Sequence, residues 1–212
     1  IFSIFLTMAK EYQFPEERIE DFTLLDPEVS YSYADYLSWA FEERVEIIKG
    51  KIFKMSAGQL TRHQLISTNL ISHIGPHIRN KTCKLFHAPF DVRLPNQPGD
   101  DDKKIFTVAQ PDICIVCDAS KLDEKGCIGA PDLIIEILSP LTASRDLKDK
   151  FELYREHKVN EYWLVFPNDN IVEIFLLNPE GHYLSAARLS GSDHVQCGML
   201  SAINLTVGDI FE

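Results

Sequence analysis

Six residues constrain this chain more than any others. The run Leu133 to Leu138 reads LIIEIL, five apolar residues around one carboxylate. In an extended strand side chains alternate, so Leu133, Ile135 and Ile137 share one face while Ile134, Glu136 and Leu138 share the other. Both faces are apolar, which is the pattern of a central strand covered on both sides. Glu136 is the exception. A carboxylate at that depth must meet a cation, accept hydrogen bonds or hold its proton, because an unpaired buried charge is too costly.

A second stretch repeats the pattern. Gln110-Pro111-Asp112 leads into Ile113 to Cys117, nearly continuous apolar residues opened by an acid. Two acids at the ends of adjacent buried strands can converge on one divalent cation, and Mg²⁺ asks for one or two carboxylates with water and phosphate completing its octahedron. Downstream, Ser144 suits the cap of a helix through about His157, with Leu147, Phe151 and Tyr154 on its buried stripe. Asp146 and Lys150 lie i,i+4 on one side of it. Lys150 flanks the stripe, from where it reaches over the strand ends toward both acids, and this position predicts a lysine exposed enough to lose its charge without harm to the core.

Taken together, Pro111–Asp112, the IIEILSP of Ile134–Pro140, Arg145–Asp146, Lys150, Tyr154 and the VNEYWLVFP of Val159–Pro167 resemble the Uma-two family of restriction-endonuclease-like proteins, within the PD-(D/E)XK nuclease superfamily. The resemblance runs from about Tyr33 to the C-terminus. The chain departs from the superfamily at the third position of Glu136-Ile137-Leu138, where the parent motif has Lys. In the family the lysine lies on the following helix, here Lys150.

Charge and cysteines bound the function. The formal net charge of −11 argues against strong non-specific nucleic-acid binding, which depends on neutralising phosphates, though a local basic cleft or a bound metal would offset it. With 212 residues, 45% of them hydrophobic, one sizeable core is expected. Cys83, Cys114, Cys117, Cys127 and Cys197 suggest no disulfide framework; Cys114 and Cys117 point to opposite faces of a strand and read as small buried hydrophobes. A reducing cytoplasm fits, and no run has the length of a membrane span. The opening IFSIFLT lacks the basic flank and cleavage site of a signal peptide, and Met8 would serve as a start.

In chain order, residues 1–30 read as an irregular arm and 31–212 as one domain. Tyr31 to Phe41 suits a short amphipathic helix, and Lys49-Gly50 joins the two strands of a hairpin. Glu46, on the first of those strands, faces either the site or solvent. Gln59 to Ile78 is the longest helical pattern, with Ile66, Leu70 and Ile74 in register and His63 one turn earlier. The family shows a histidine here too; His63 contacts a metal water or phosphate, or else packs in the core. His73 and His77 have metal-ligand spacing, but Pro76 between them predicts a helix end or kink. Leu85 to Leu94 reads as one strand bent at Pro89, and Asp91 is a weaker site candidate than Asp112. Pro95 to Lys104, with three aspartates, and Ala119 to Gly129 read as polar connections. Ile171 to Leu177 and His182 to Ala187 form a hairpin, and Ile203 to Phe211 a closing strand and turn.

The expected fold is α/β: a restriction-endonuclease-like mixed central sheet flanked by helices, in a single domain with an N-terminal helix and hairpin extension. The resemblance implies a metal-dependent endonuclease acting on nucleic acid, DNA first. Asp112, Glu136 and the Ile137 carbonyl would hold Mg²⁺ or Mn²⁺, with Lys150 catalytic and His63 and Glu46 in support. Analogy with related nucleases implies a homodimer. The alternative is an inactive nuclease fold that binds nucleic acid or a protein.

Overall fold

The structure, a computed structural model, describes residues 18–55, 61–79, 81–139, 146–195, 198–199 and 203–212. The helices are α1 (Tyr33–Tyr36), α2 (Thr61–Ile78), α3 (Phe151–Glu156) and α4 (Val207–Phe211), and a π-helical turn, Asp146–Lys150, leads directly into α3. The strands are β1 (Val45–Ile48), β2 (Lys51–Lys54), β3 (Lys84–His87), β4 (Val92–Arg93), β5 (Val108–Ala109), β6 (Ile113–Val116), β7 (Leu122–Asp123), β8 (Gly126–Ile128), β9 (Leu133–Ile137), β10 (Glu161–Phe166), β11 (Ile171–Leu177), β12 (Tyr183–Ser190), β13 (His194–Val195) and β14 (Leu205–Thr206).

A six-stranded sheet carries the core in the order β12-β11-β10-β9-β6-β3. Its neighbours pair antiparallel except β9 and β10, which run parallel and are joined by the crossover through α3, as parallel neighbours require. The two faces of β9 separate as its alternation demands. Leu133, Ile135 and Ile137 pack with Ile66, Leu70 and Ile74 of α2 and with Val207 and Ile210 of α4. Ile134 and Leu138 pack on the other side, with Leu153 and Tyr154 of α3 and with Ile48, Val92, Ala109 and Cys127. Those last four belong to a second six-stranded sheet, β2-β1-β5-β4-β8-β7. Its outer side packs on Tyr33, Leu37 and Trp39 around α1. The architecture is therefore α/β, with two mixed sheets flanked by helices.

Several expectations need correction. Leu85 to Leu94 is two strands on different sheets, separated at the cis Ala88–Pro89 bond. α2 runs through Pro76 to Ile78, because so near the end the proline removes one backbone bond without a following turn to disrupt. The stretch from Ala119 to Gly129 is not plain connection; it contains the β7–β8 hairpin. Gly126 has φ +129° there, and a Cβ would stand 2.3 Å from the Asp91 carbonyl oxygen, so only glycine fits. The tail forms β14 and then a helix, α4, capped reciprocally by Thr206 and Asp209. Ser144, the expected helix cap, lies outside the described residues.

The cysteines also differ from expectation. Cys83 and Cys117 form a disulfide. They follow Lys84↔Val116 as the next pair of the β3–β6 register, so the ladder sets them face to face across 34 residues of sequence. The expected reducing compartment rested on the absence of a bridge and loses that support. Among the described residues no helix is long and apolar enough to cross a membrane.

Candidate active site

The end of the central sheet gathers the acids. β6 and β9 pair antiparallel with Ile113 opposite Ile135, so one step further the register sets Asp112 opposite Glu136. Their backbones are thus neighbours, with Asp112 just before the start of β6. The Asp112 carboxylate leans across the strand end, where its Oδ2 accepts a hydrogen bond from the Ile137 N–H at 2.8 Å. His63, at the start of α2, brings Nε2 to 3.2 Å from the same oxygen. Because N–H and C=O of one strand residue face the same side, the Ile137 carbonyl is directed toward this edge as well.

On the opposite side of Glu136 stands the helix. Lys150 ends the π-turn and Tyr154 follows it by four residues, so both face one way on the helix surface. Both donate to Glu136 Oε1, the Lys150 Nζ at 2.9 Å and the Tyr154 hydroxyl at 2.7 Å. The Tyr154 phenol is held well above its ordinary pKa by burial and by the neighbouring Glu136 and Glu46 charges, which keeps it a donor. Lys150 also lies 3.0 Å from Glu46 Oε1. Its ammonium is thus shared between acids from two different sheets.

Glu46 is fully buried, which decides between the solvated and the site-facing readings of it. Its Oε1 also accepts the backbone N–H of Gln110 at 2.8 Å. The Gln110 side chain branches outward: its Oε1 accepts from Arg44 at 2.9 Å, and its amide donates to Asp91 Oδ1 and to the Tyr36 hydroxyl. Asp91 therefore stands one residue removed from the cluster, with Tyr33, Tyr36 and Gln110 as its partners. Burial raises its carboxyl pKa and those three donors oppose the shift.

Of the expected site residues, Glu46, Asp112, Glu136, Lys150 and His63 are all brought to this end of the sheet. One expectation about them fails. Lys150 is 3% exposed, not a flanking surface lysine, because β1 delivers Glu46 over it from the second sheet. Sequence reasoning missed Tyr154 as a polar partner, although its spacing from Lys150 was a usable signal. It missed Gln110 and Arg44 for want of one, since their role depends on a contact between distant segments. In the His73 and His77 pair, the His77 ring turns to the backbone, with Nδ1 2.8 Å from the His73 carbonyl oxygen.

The donor chemistry suits a hard cation. Asp112, Glu136 and the Ile137 carbonyl present only oxygen ligands, and three carboxylates here stand against one lysine. Among the described residues no three His, Cys, Asp or Glu side chains group where they would hold an ion. Two carboxylates with a carbonyl and water is the set that Mg²⁺ accepts.

Known proteins share this fold. The solved structure of a "putative nuclease belonging to DUF820" from Anabaena variabilis superposes with a TM-score of 0.66 at 21% identity, covering 85% of this chain and 97% of that one. At that identity the likeness speaks for the fold. An uncharacterized protein of Synechocystis sp. is 26% identical over 153 residues, 71% of this chain and 76% of the relative. Residues 33–208 match the model of Uma2, described as "Putative restriction endonuclease". The chain belongs to the Uma2 family.

Proposed function

We propose that this cluster is the active site of a Mg²⁺- or Mn²⁺-dependent endonuclease that hydrolyses phosphodiester bonds in nucleic acid. The observation that carries the reading is the Lys150 ammonium shared between Glu46 and Glu136, with Asp112 beside Glu136 at the strand end. A structural ion pair has no need of a second acid across the sheet or a histidine on it. Asp112, Glu136 and the Ile137 carbonyl would hold the cation, which when bound supplies positive charge to polarise the phosphate and acidify a water.

The protein groups divide the remaining work. Tyr154 and Lys150 fix the Glu136 carboxylate, and the Asp112 carboxylate is fixed by the Ile137 N–H and His63. Lys150 brings a positive charge into the cluster, which opposes the negative charge that gathers on the phosphate in the transition state. Glu46 holds that ammonium in place.

A second reading, a nuclease fold that binds without cutting, is favoured by burial: Glu46, Glu136 and Lys150 are all closed to solvent. Cleavage of single- and double-stranded DNA and RNA with Mn²⁺ separates the two. Wild type should cut at least one substrate, and Glu136→Gln should reduce the rate by about a hundredfold or more. Wild type that binds nucleic acid and cuts none supports the binding module. Equal cleavage by both proteins exposes a contaminant and removes the assignment.

A further inference from the structure

Among the described residues, arginines differ in what holds them. Arg93, Arg155 and Arg188 each meet a carboxylate, on Asp123, Glu152 and Glu173. Arg44 and Arg62 are held instead by neutral acceptors. The Arg44 guanidinium donates to the Gln110 side-chain oxygen at 2.9 Å. The Arg62 guanidinium donates to the Pro167 carbonyl at 3.0 Å and to Asn170 Oδ1 at 2.5 Å. Among the described residues neither has a carboxylate within ion-pair distance, although acids outnumber lysines and arginines by 32 to 21 in this chain. Both are exposed. Each is thus fixed in direction with its charge uncancelled, the state in which a guanidinium recognises phosphate best.

Their placement is not scattered. The β1–β2 ladder continues one pair outward through the Met55 N–H to Arg44 carbonyl bond, so Arg44 shares a strand face with Glu46 two residues on. Gln110 binds both, Glu46 through its backbone and Arg44 through its side chain. Arg62 precedes His63 on α2, and its acceptor Pro167 follows the end of β10, which runs parallel to β9 with Val165 beside Ile137. Arg44 therefore comes from the layer that packs over one face of the central sheet, and Arg62 from the helix on the other. Both sit at the sheet end that carries Asp112 and Glu136.

We propose that Arg44 and Arg62 are phosphate contacts that lay a nucleic-acid strand across this sheet end, one on each side of the acidic cluster. The proposal rests on the nuclease-fold reading above and adds to it the surface that delivers the strand. Two fixed arginines explain how a protein of net charge −11 holds a polyanion: attraction is confined to the rim of the site, and other surfaces repel.

The test measures binding apart from cleavage, by fluorescence anisotropy of labelled single- and double-stranded oligonucleotides with Ca²⁺ replacing Mn²⁺, over a series of salt concentrations. Arg44→Ala and Arg62→Ala should each weaken affinity by roughly tenfold and lower the slope of log affinity against log salt by about 0.7 to 0.9. Arg188→Ala, in an arginine already paired with Glu173, should change neither. Arg44→Lys and Arg62→Lys should recover the salt slope, since the charge is kept. If wild type binds and the alanine variants match it in affinity and slope, the proposal is overturned while the nuclease reading stands. It is overturned equally if they lose only thermal stability or turnover, because the arginines are then braces for Gln110 and Asn170. Wild type with no affinity for any oligonucleotide overturns both.

Discussion

Two carboxylates in this protein, Glu136 buried and Asp91 half-buried, meet the same problem differently. Glu136 is surrounded by an ammonium and a phenol, and the ammonium is shared with a second acid. Asp91 is surrounded by two phenols and an amide, with no cation among the described residues in hydrogen-bond contact. A full positive charge offsets the burial of Glu136 in a closed site. The neutral donors around Asp91, helped by the Arg93 charge, only partly offset its burial, and its proton is held more tightly than usual. The first arrangement joins two sheets and a helix through a shared ammonium; the second ties α1 to the base of β6 through neutral donors. A site and a brace are thus distinguishable by what neutralises them.

The largest effect should come from breaking the charged arrangement. Lys150→Ala leaves Glu46 and Glu136 buried without the cation they share, and loss of one partner of a buried pair typically destabilises by about 3–5 kcal/mol. Urea denaturation should show a shift of that size. A shift under about 1 kcal/mol would mean that water enters the cluster and the acids are not dry.

Next is the cation. At roughly a hundredfold excess over its dissociation constant, an ion that binds only the folded chain adds about 2.7 kcal/mol. Mg²⁺ or Mn²⁺ should therefore raise the melting temperature of wild type, and Glu136→Gln should abolish the rise. A rise retained in the variant places the ion elsewhere; Asp91→Asn, by contrast, should leave it untouched.

Much of this was legible in the sequence. β9 and β10 announced themselves because a short, doubly apolar run has few other fates, and Glu136 stood out inside one of them. Asp112 followed from the same logic on β6. Of the second sheet only the β1–β2 hairpin was legible: β4, β5 and β7 are two residues long and β8 three, too short to display a period of two. The burial of Lys150 was hidden for another reason. On the helix alone it flanks the apolar stripe, and only the arrival of Glu46, about a hundred residues earlier in the chain, covers it. The Cys83–Cys117 bridge depends likewise on register between strands, which spacing does not reveal.

A smaller effect tests the neutral arrangement. Asp91→Asn keeps the shape and the oxygen that accepts from Gln110 and Tyr36, and the Tyr33 hydroxyl can turn to accept from the new amide. The cost should be about 1 kcal/mol, the worth of one ordinary hydrogen bond, well below that of Lys150→Ala. A loss of similar size in both variants would erase the distinction drawn between the two carboxylates.

The finest test is the pH dependence of that same variant. Asp91 has a folded-state pKa above its ordinary 3.8, so between the two values the folded chain binds more protons than the unfolded one. Stability then falls as pH rises. The favourable contribution is complete below about pH 3.8 and is lost as pH climbs through the raised folded value. An asparagine at this position does not titrate. The difference in stability between wild type and Asp91→Asn should therefore shrink or reverse in the variant's favour as pH is raised from 4 toward 8, read from urea midpoints at each pH. A difference that holds constant across the range would show that the donors of Tyr33, Tyr36 and Gln110, with the Arg93 charge, compensate burial completely, and an arrangement without a contacting cation would then serve Asp91 as well as the ammonium serves Glu136.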